Sequence, residues 1–308
     1  MDLHNNYVIT NDQFLQPTYR ISPFTTRDIA KNIEITNSEC IDANLKGYFT
    51  GKKYTFTSSG RDALNKALKR FNLSEDDVVS ILTTTGNLYI SSCVTKEIEK
   101  FCKWSREISK RTRIILVNHE FGFPYENLTE LVKLGIPIIE DCAHSFASQN
   151  RESSVGNIGD YVIYSLPKFF PIQFGGILVN NRNEKIKSDL NSCAEEYLEK
   201  IVNYYIPSIN QIKDTRRQNY EYLVQKSKKL KVTQRFDLKE NYCPGVYMFK
   251  LEEYNLSNLK IYMQSHGVES SVFYGEDSFF IPVNQSLKKF DLDYFILLIE
   301  KFMFESGD

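Results

Sequence analysis

No stretch of this chain approaches the ~20 consecutive apolar residues that a membrane helix requires. The opening MDLHNNYVITNDQ lacks the basic-then-apolar pattern of a secretory leader. Neither sign of charge predominates, since 38 Lys+Arg face 39 Asp+Glu for a net charge of −1, so the basic excess of a nucleic-acid footprint is missing. The expectation is therefore a cytoplasmic chain with neither nucleic acid nor membrane as partner. Six cysteines (Cys40, Cys93, Cys102, Cys142, Cys193, Cys243) include no CxxC pair and read as free, mostly buried thiols. Four histidines (His4, His119, His144, His266) include no i,i+4 pair, which leaves a zinc site without an obvious ligand set. GxGxxG is absent, against a nicotinamide-binding sheet. There is no internal repeat and no low-complexity segment.

What is present is an average globular composition, 42% hydrophobic and 25% charged over 308 residues. That length suits a large domain over about 1–205 and a smaller one over about 206–308. From Thr55 to Asn180 short apolar runs alternate with helical patterns. Leu64, Ala67, Leu68 and Phe71 mark a helix opening at Ser59-Gly60 and running to Arg70. Strands are expected at Val78–Leu82, Arg113–Val117, Ile136–Ile139, Tyr161–Tyr164 and Ile177–Val179. Helices are expected at Thr95–Lys110, with Trp104, and at Tyr125–Lys133, before Gly135. Near-continuous apolar strands between helices imply an α/β fold, its mostly parallel sheet covered on both faces. After Asn181 a Lys/Glu/Tyr-rich helical segment runs to Leu230 with a break at Pro207. GVYMFKL, Leu256–Ser265 and Leu292–Phe302 then suggest a smaller C-terminal α+β domain.

In open α/β sheets ligands bind beyond the carboxyl ends of the strands. Asp141 ends the apolar run IPIIED, and Lys168 follows Tyr161–Ser165 in a loop that Pro167 and Pro171 stiffen. Gly175-Gly176 allows a close backbone approach before the next strand. Thr57-Ser58-Ser59-Gly60 at a helix start is a candidate phosphate seat, where unpaired N–H groups and the helix dipole favour an anion. Each feature has a common structural use: solvated lysine, turn-forming Asp, N-cap Ser. In this order they match the needs of pyridoxal phosphate (PLP), which takes a Schiff-base lysine and a carboxylate for its pyridinium nitrogen.

The stretches TSSGRDAL (57–64), VNHEFGFPYENLTELVKLGIPIIEDCAHSF (117–146), GDYVIYSLPKFFPIQFGG (159–176) and HGVESSVFYGEDSFFIPVNQSL (266–287) resemble the DegT/DnrJ/StrS family of PLP-dependent sugar aminotransferases, of fold-type I. The resemblance implies a PLP-binding domain and places the EDxAH signature on Glu140–His144. Asp141 then becomes the pyridinium partner and His144 the neighbour of the cofactor's phenolic oxygen. Lys168, followed by Gly175 and Gly176, becomes the Schiff-base lysine. Ser165 and, across from it, Ser59, Gly60 and Arg61 become the phosphate contacts. The aromatic residue that packs on the ring falls at Leu88, with Tyr89 beside it.

Three departures stand out. Ser165 and Lys168 are three residues apart where the family usually has five. Arg61 replaces a threonine or small residue. No Asn-x-Arg-Met-type segment, which the family uses across its dimer, occurs between Gly176 and Arg217. The expected activity is amino transfer, by resemblance from glutamate, to a nucleotide-linked keto-sugar in polysaccharide or antibiotic-sugar biosynthesis, by a homodimer. A non-catalytic relative serving as a binding or scaffold subunit is the alternative. A PLP-dependent sugar dehydratase is a further one, which Lys168 speaks against because that branch carries histidine there. Whether Arg216, Arg217 or His266 reaches the substrate is open; His266 before Gly267 reads as a helix cap.

Overall fold

The computed structural model describes residues 17–36, 43–182, 184–230 and 232–306; Cys40 and His4 lie outside them. The chain opens with helices α1 (Arg27–Glu34) and α2 (Ala43–Tyr48), then β1 (Lys53–Thr57), α3 (Gly60–Leu68) and β2 (Val78–Thr83). Next come α4 (Ser92–Ile98), β3 (Lys103–Ser105), β4 (Thr112–Asn118), α5 (Leu128–Val132), β5 (Ile138–Asp141), β6 (Tyr161–Ser165) and β7 (Gly176–Asn180). The remainder comprises α6 (Ser192–Tyr205), α7 (Ile209–Ser227), β8 (Thr233–Gln234), β9 (Val246–Lys250), α8 (Leu256–Ser265), β10 (Ser271–Phe273), β11 (Ser278–Pro282) and α9 (Lys289–Glu305).

Seven strands form one sheet in the order β1-β7-β6-β5-β4-β2-β3. The pairs from β6 through β5, β4 and β2 to β3 are parallel, and only β7 runs antiparallel to its neighbours β6 and β1. The expected mostly parallel α/β sheet is thus present, with β4 to β7 buried on both faces as their apolar runs require. A second sheet, β10-β11-β9-β8, is antiparallel throughout. Its core, with Phe249, Phe279, Leu223 and Phe295 fully buried, joins it to α7, α8 and α9. No described helix is long and apolar enough to cross a membrane.

Two expected helices are shorter in the structure. In place of one helix over Thr95–Lys110, α4 stops at Ile98 and the chain turns into β3, a three-residue edge strand alongside β2. Val94, Ile98 and Phe101 repeat at helical spacing, but the Lys103 N–H bonds to the Asp77 carbonyl. Trp104 therefore sits on the sheet edge, its Nε1 donating to Glu99. Tyr125–Lys133 narrows to α5 because its first turn is used elsewhere. The Tyr125 N–H donates to His119 Nδ1, and the carbonyls of Tyr125 and Glu126 accept from Asn150 Nδ2. The break at Pro207 is where the sequence placed it, as a tight turn between α6 and α7. The five described cysteines are all free.

Candidate active site

Sheet register alone gathers the predicted residues. Thr57, Gly176 and Ser165 stand side by side across β1, β7 and β6. The loop that starts α3 therefore meets the end of β6. A Cβ on Gly176 would fall 2.6 Å from the Ser59 carbonyl carbon, and one on Gly60 would lie 3.2 Å from Ser165 Cβ. Only glycine lets the two loops approach this closely. On the other side, Asn118 and Asp141 are partners across the ends of β4 and β5.

These strand ends surround a cavity of about 590 Å³ lined by Ser59, Gly60, Arg61, Tyr89, Asp141, His144, Ser165 and Lys168. Of the residues singled out in the sequence, Leu88 is not among them: it is 72% exposed. Asn87 Oδ1 accepts the Tyr89 N–H, and the turn so formed puts Tyr89 inward and Leu88 outward. Tyr89 packs edge-on against Phe273 at 5.4 Å between centroids and stacks on Tyr274 at 6.0 Å.

Asp141 is buried, its Oδ1 accepting the Ala143 N–H at 3.0 Å and its Oδ2 the Asn118 side-chain N–H at 2.9 Å. Burial pushes its carboxyl up, opposed by those two hydrogen bonds and by His119. His144 lies against Phe121, ring centroids 5.3 Å apart. Its buried Nδ1 has no hydrogen-bond partner. Burial, reinforced by the charges of Lys168 and Arg216, holds its imidazole well below the usual range, so it is neutral at pH 7.

Lys168 ends a tight turn, Leu166–Lys168, directly after β6. The turn is fixed by Phe169 and Phe170 N–H groups on the Leu166 carbonyl and by Leu166 N–H on the Gly175 carbonyl. Pro171 contributes its carbonyl to Asn32. The short serine-to-lysine spacing thus still presents both side chains to one cavity. At the start of α3 the Ser59 hydroxyl caps the Asp62 N–H. The N–H groups of Gly60 and Arg61 have no acceptor among the described residues and carry the positive end of the helix dipole. The Arg61 guanidinium donates to Cys93 Sγ at 2.7 Å. Together with the Lys168 charge this holds the Cys93 thiol down against burial, which pushes it up.

Several contributors were not anticipated. Asn118 carries a legible signal, since it ends IILVN as Asp141 ends IIED. Cys93, Phe121, Phe273 and Phe280 also line the cavity. The two from the second sheet lie over 100 residues from Lys168, and no local pattern points to them. Arg217 is engaged with the carbonyls of Lys239 and Tyr242. His266 caps α8, its ring on Tyr262 and its Nδ1 2.7 Å from the Tyr262 carbonyl. Neither lines the cavity.

Nearby, His119, Glu140 and Cys142 bring three metal-ligand types together, but the ligand atoms of His119 and Glu140 are engaged. The His119 Nδ1 accepts the Tyr125 N–H, so Nε2 carries the proton and faces Glu140 at 3.2 Å. Both Glu140 oxygens accept further N–H groups from Gly156, Ile158 and Gly159. This pair fastens the 156–159 loop to the sheet.

The cavity fits pyridoxal phosphate. Unpaired N–H groups and serine hydroxyls can receive a phosphate, a buried carboxylate can face a pyridinium, and an amine stands ready for an aldehyde. The unpartnered Nδ1 of a neutral histidine is available beside them.

Residues 101–190 match the model of the DegT/DnrJ/EryC1/StrS aminotransferase family, in agreement with the resemblance carried by the motifs. A GDP-perosamine synthase of Escherichia coli O157:H7 is 30% identical over 148 residues, a stretch covering 41% of this chain and 40% of that protein. Among solved structures, the aminotransferase TlmJ from Streptoalloteichus hindustanus superposes with a TM-score of 0.73 at 13% identity, covering 93% of this chain and 99% of that one. The aminotransferase from Psychrobacter cryohalolentis superposes with a TM-score of 0.67 at 13% identity, covering 94% and 100%. At such identities these likenesses establish the fold.

Proposed function

We propose that the chain is a PLP-dependent aminotransferase that takes an amino group, from glutamate, and passes it to a nucleotide-linked keto-sugar. The observation that carries this reading is the convergence of Lys168, Asp141 and the free N–H groups of Gly60 and Arg61 on one cavity. The family match over residues 101–190 supports amino transfer. The GDP-perosamine synthase relative supports a nucleotide-sugar acceptor. The same reading makes the protein a cytoplasmic homodimer of polysaccharide biosynthesis.

Pyridoxal phosphate, when bound, supplies an electron sink for the carbon from which the amino group leaves. The protein's part is binding, orientation and proton transfer. The α3 N-terminus, Ser59 and Ser165 hold the phosphate, and Arg61 adds a cation at its edge. Asp141, kept in place by Asn118 and the Ala143 N–H, pairs with the ring nitrogen and favours its protonated form. Neutral His144 offers an imidazole nitrogen to the ring hydroxyl. Lys168 would hold the cofactor, and its free amine would take the proton from the donor's α-carbon. Its stiff turn keeps that amine in reach.

The test is direct. After incubation with PLP and reduction by borohydride, peptide mass spectrometry should find the cofactor fixed on Lys168. Lys168→Ala should carry none there. An unlabelled Lys168 in the folded wild type contradicts the reading.

A further inference from the structure

One fully buried cation among the described residues, Arg216, has no part in the proposed reaction. Arg216 on α7 is 0% exposed, and no carboxylate lies within ion-pairing distance of it among the described residues. Arginine stays charged even when buried, and taking such a charge out of water costs several kcal/mol unless its donors are satisfied. Here the compensation comes from neutral oxygens and a ring. Its Nη2 donates to the Lys168 carbonyl at 2.9 Å and to the Phe169 carbonyl at 3.4 Å. Its Nε donates to Gln285 Oε1 at 2.8 Å. The guanidinium lies 4.9 Å from the Phe169 ring centroid. Gln285, in the connection from β11 to α9, returns its own Nε2 proton to the Phe169 carbonyl at 2.8 Å.

We propose that Arg216 is a positioning residue for Lys168, suspending the lysine turn from α7 and, through Gln285, from the C-terminal sheet. The turn needs such an anchor. Its own hydrogen bonds run from the Phe169 and Phe170 N–H groups to Leu166, which leaves the carbonyls of Lys168 and Phe169 to be satisfied from outside. Nη2 reaches both successive carbonyls while Nε of the same planar group is held by Gln285, and this fixes the peptide plane next to the Lys168 Cα, and with it the direction in which the amine leaves the backbone. A lysine at 216 has a single nitrogen and could not hold Gln285 and the two carbonyls from the fixed directions of one planar group.

Two measurements test this, and only the second rests on the cofactor reading. The first is amide hydrogen exchange in the cofactor-free protein. Arg216→Met should speed exchange across residues 166–170 by about tenfold or more, since the turn loses its outside anchor. Leu223→Ala, a cavity-forming change on the same helix, should lower the Tm yet leave that segment's relative protection unchanged. The second measures the rate at which PLP becomes attached to Lys168, beside the affinity for pyridoxine 5'-phosphate, which has no aldehyde. Arg216→Met should slow attachment by about tenfold or more, since small misplacements of a reacting group are costly, while pyridoxine 5'-phosphate binds as before. Gln285→Ala should show the same split more weakly, and it carries both tests if Arg216→Met does not fold. Unchanged exchange at 166–170 overturns the inference, as does an equal acceleration in Leu223→Ala. A wild type that binds neither compound overturns the cofactor reading and leaves the exchange result to decide the role of Arg216.

Discussion

The two walls of the cavity are built differently. One comes from the seven-stranded sheet and the start of α3, and it is polar: Asp141, Asn118, Ser165, Lys168 and the N–H groups of Gly60 and Arg61. The other comes from the antiparallel sheet and the loops packed on it, and it is aromatic: Phe273, Phe280, Phe121 and Tyr89. Its rings lock one another, Phe121 lying 4.8 Å from Phe280 and 6.0 Å from Phe273. The polar wall can hold charges and move protons. The aromatic wall excludes water and offers a flat apolar surface, which strengthens every charge interaction opposite it. On the proposed reading, chemistry belongs to the first wall and shape to the second.

Breaking the polar wall should have the larger effect. Asp141→Ala is expected to weaken PLP retention by about a hundredfold or more, since leaving one member of a buried charge pair unmatched costs ~3–5 kcal/mol. Equilibrium dialysis with cofactor checks this. Arg61→Ala should cost about tenfold in affinity for PLP, in line with one charge-assisted contact of ~1.5 kcal/mol. The same variant should bind pyridoxal, which has no phosphate, as the wild type does. Equal losses for both compounds would move Arg61 off the phosphate.

A subtler effect concerns pH. Burial raises the Asp141 carboxyl in the cofactor-free protein, so between its unfolded and folded values the native state binds the extra proton. Stability must then fall as pH rises through that window, with a slope of up to ~1.4 kcal/mol per pH unit from this group. Asp141→Asn should remove that component from denaturation curves measured across the acid range. An unchanged slope would show that Asp141 is not the buried acid described here.

The smallest effect is expected from the aromatic wall. Phe273→Leu keeps most of the volume and should cost less than ~1.5 kcal/mol of stability. PLP affinity should stay within about twofold, while KM for the acceptor rises more than kcat falls. A drop in cofactor affinity as large as that of Arg61→Ala would erase the distinction between the walls.

The same contrast explains what could be read from the sequence. The polar wall is local: IILVN, IIED and YVIYS are apolar runs whose ends mark one edge of a parallel sheet, so Asp141 and Lys168 are legible one by one, and the family resemblance adds Ser165. Asn118 was overlooked although it ends its strand as Asp141 does. The aromatic wall is non-local. Phe273 meets Tyr89, and Phe280 meets Phe121, only through the docking of the second sheet, and the choice between Leu88 and Tyr89 depends on a turn set by Asn87. Arg216 is of the same kind, since nothing in DTRRQNYEYL says that its guanidinium ends on the Lys168 carbonyl. Trp104 was misplaced for the opposite reason: a helical spacing of apolar residues continued into an edge strand whose pairing is tertiary.

The central claim is that the polar wall holds the cofactor through Lys168 and that the Lys168 amine moves the proton of amino transfer. It is tested most directly by a single turnover. Cofactor-loaded protein is mixed with glutamate and no acceptor, and the 2-oxoglutarate formed per chain is measured beside Lys168→Ala. The account predicts close to one equivalent from the wild type, with loss of the visible absorbance band, and none from the variant. A wild type that holds PLP on Lys168 but releases no keto acid from glutamate or any other amino donor would contradict it.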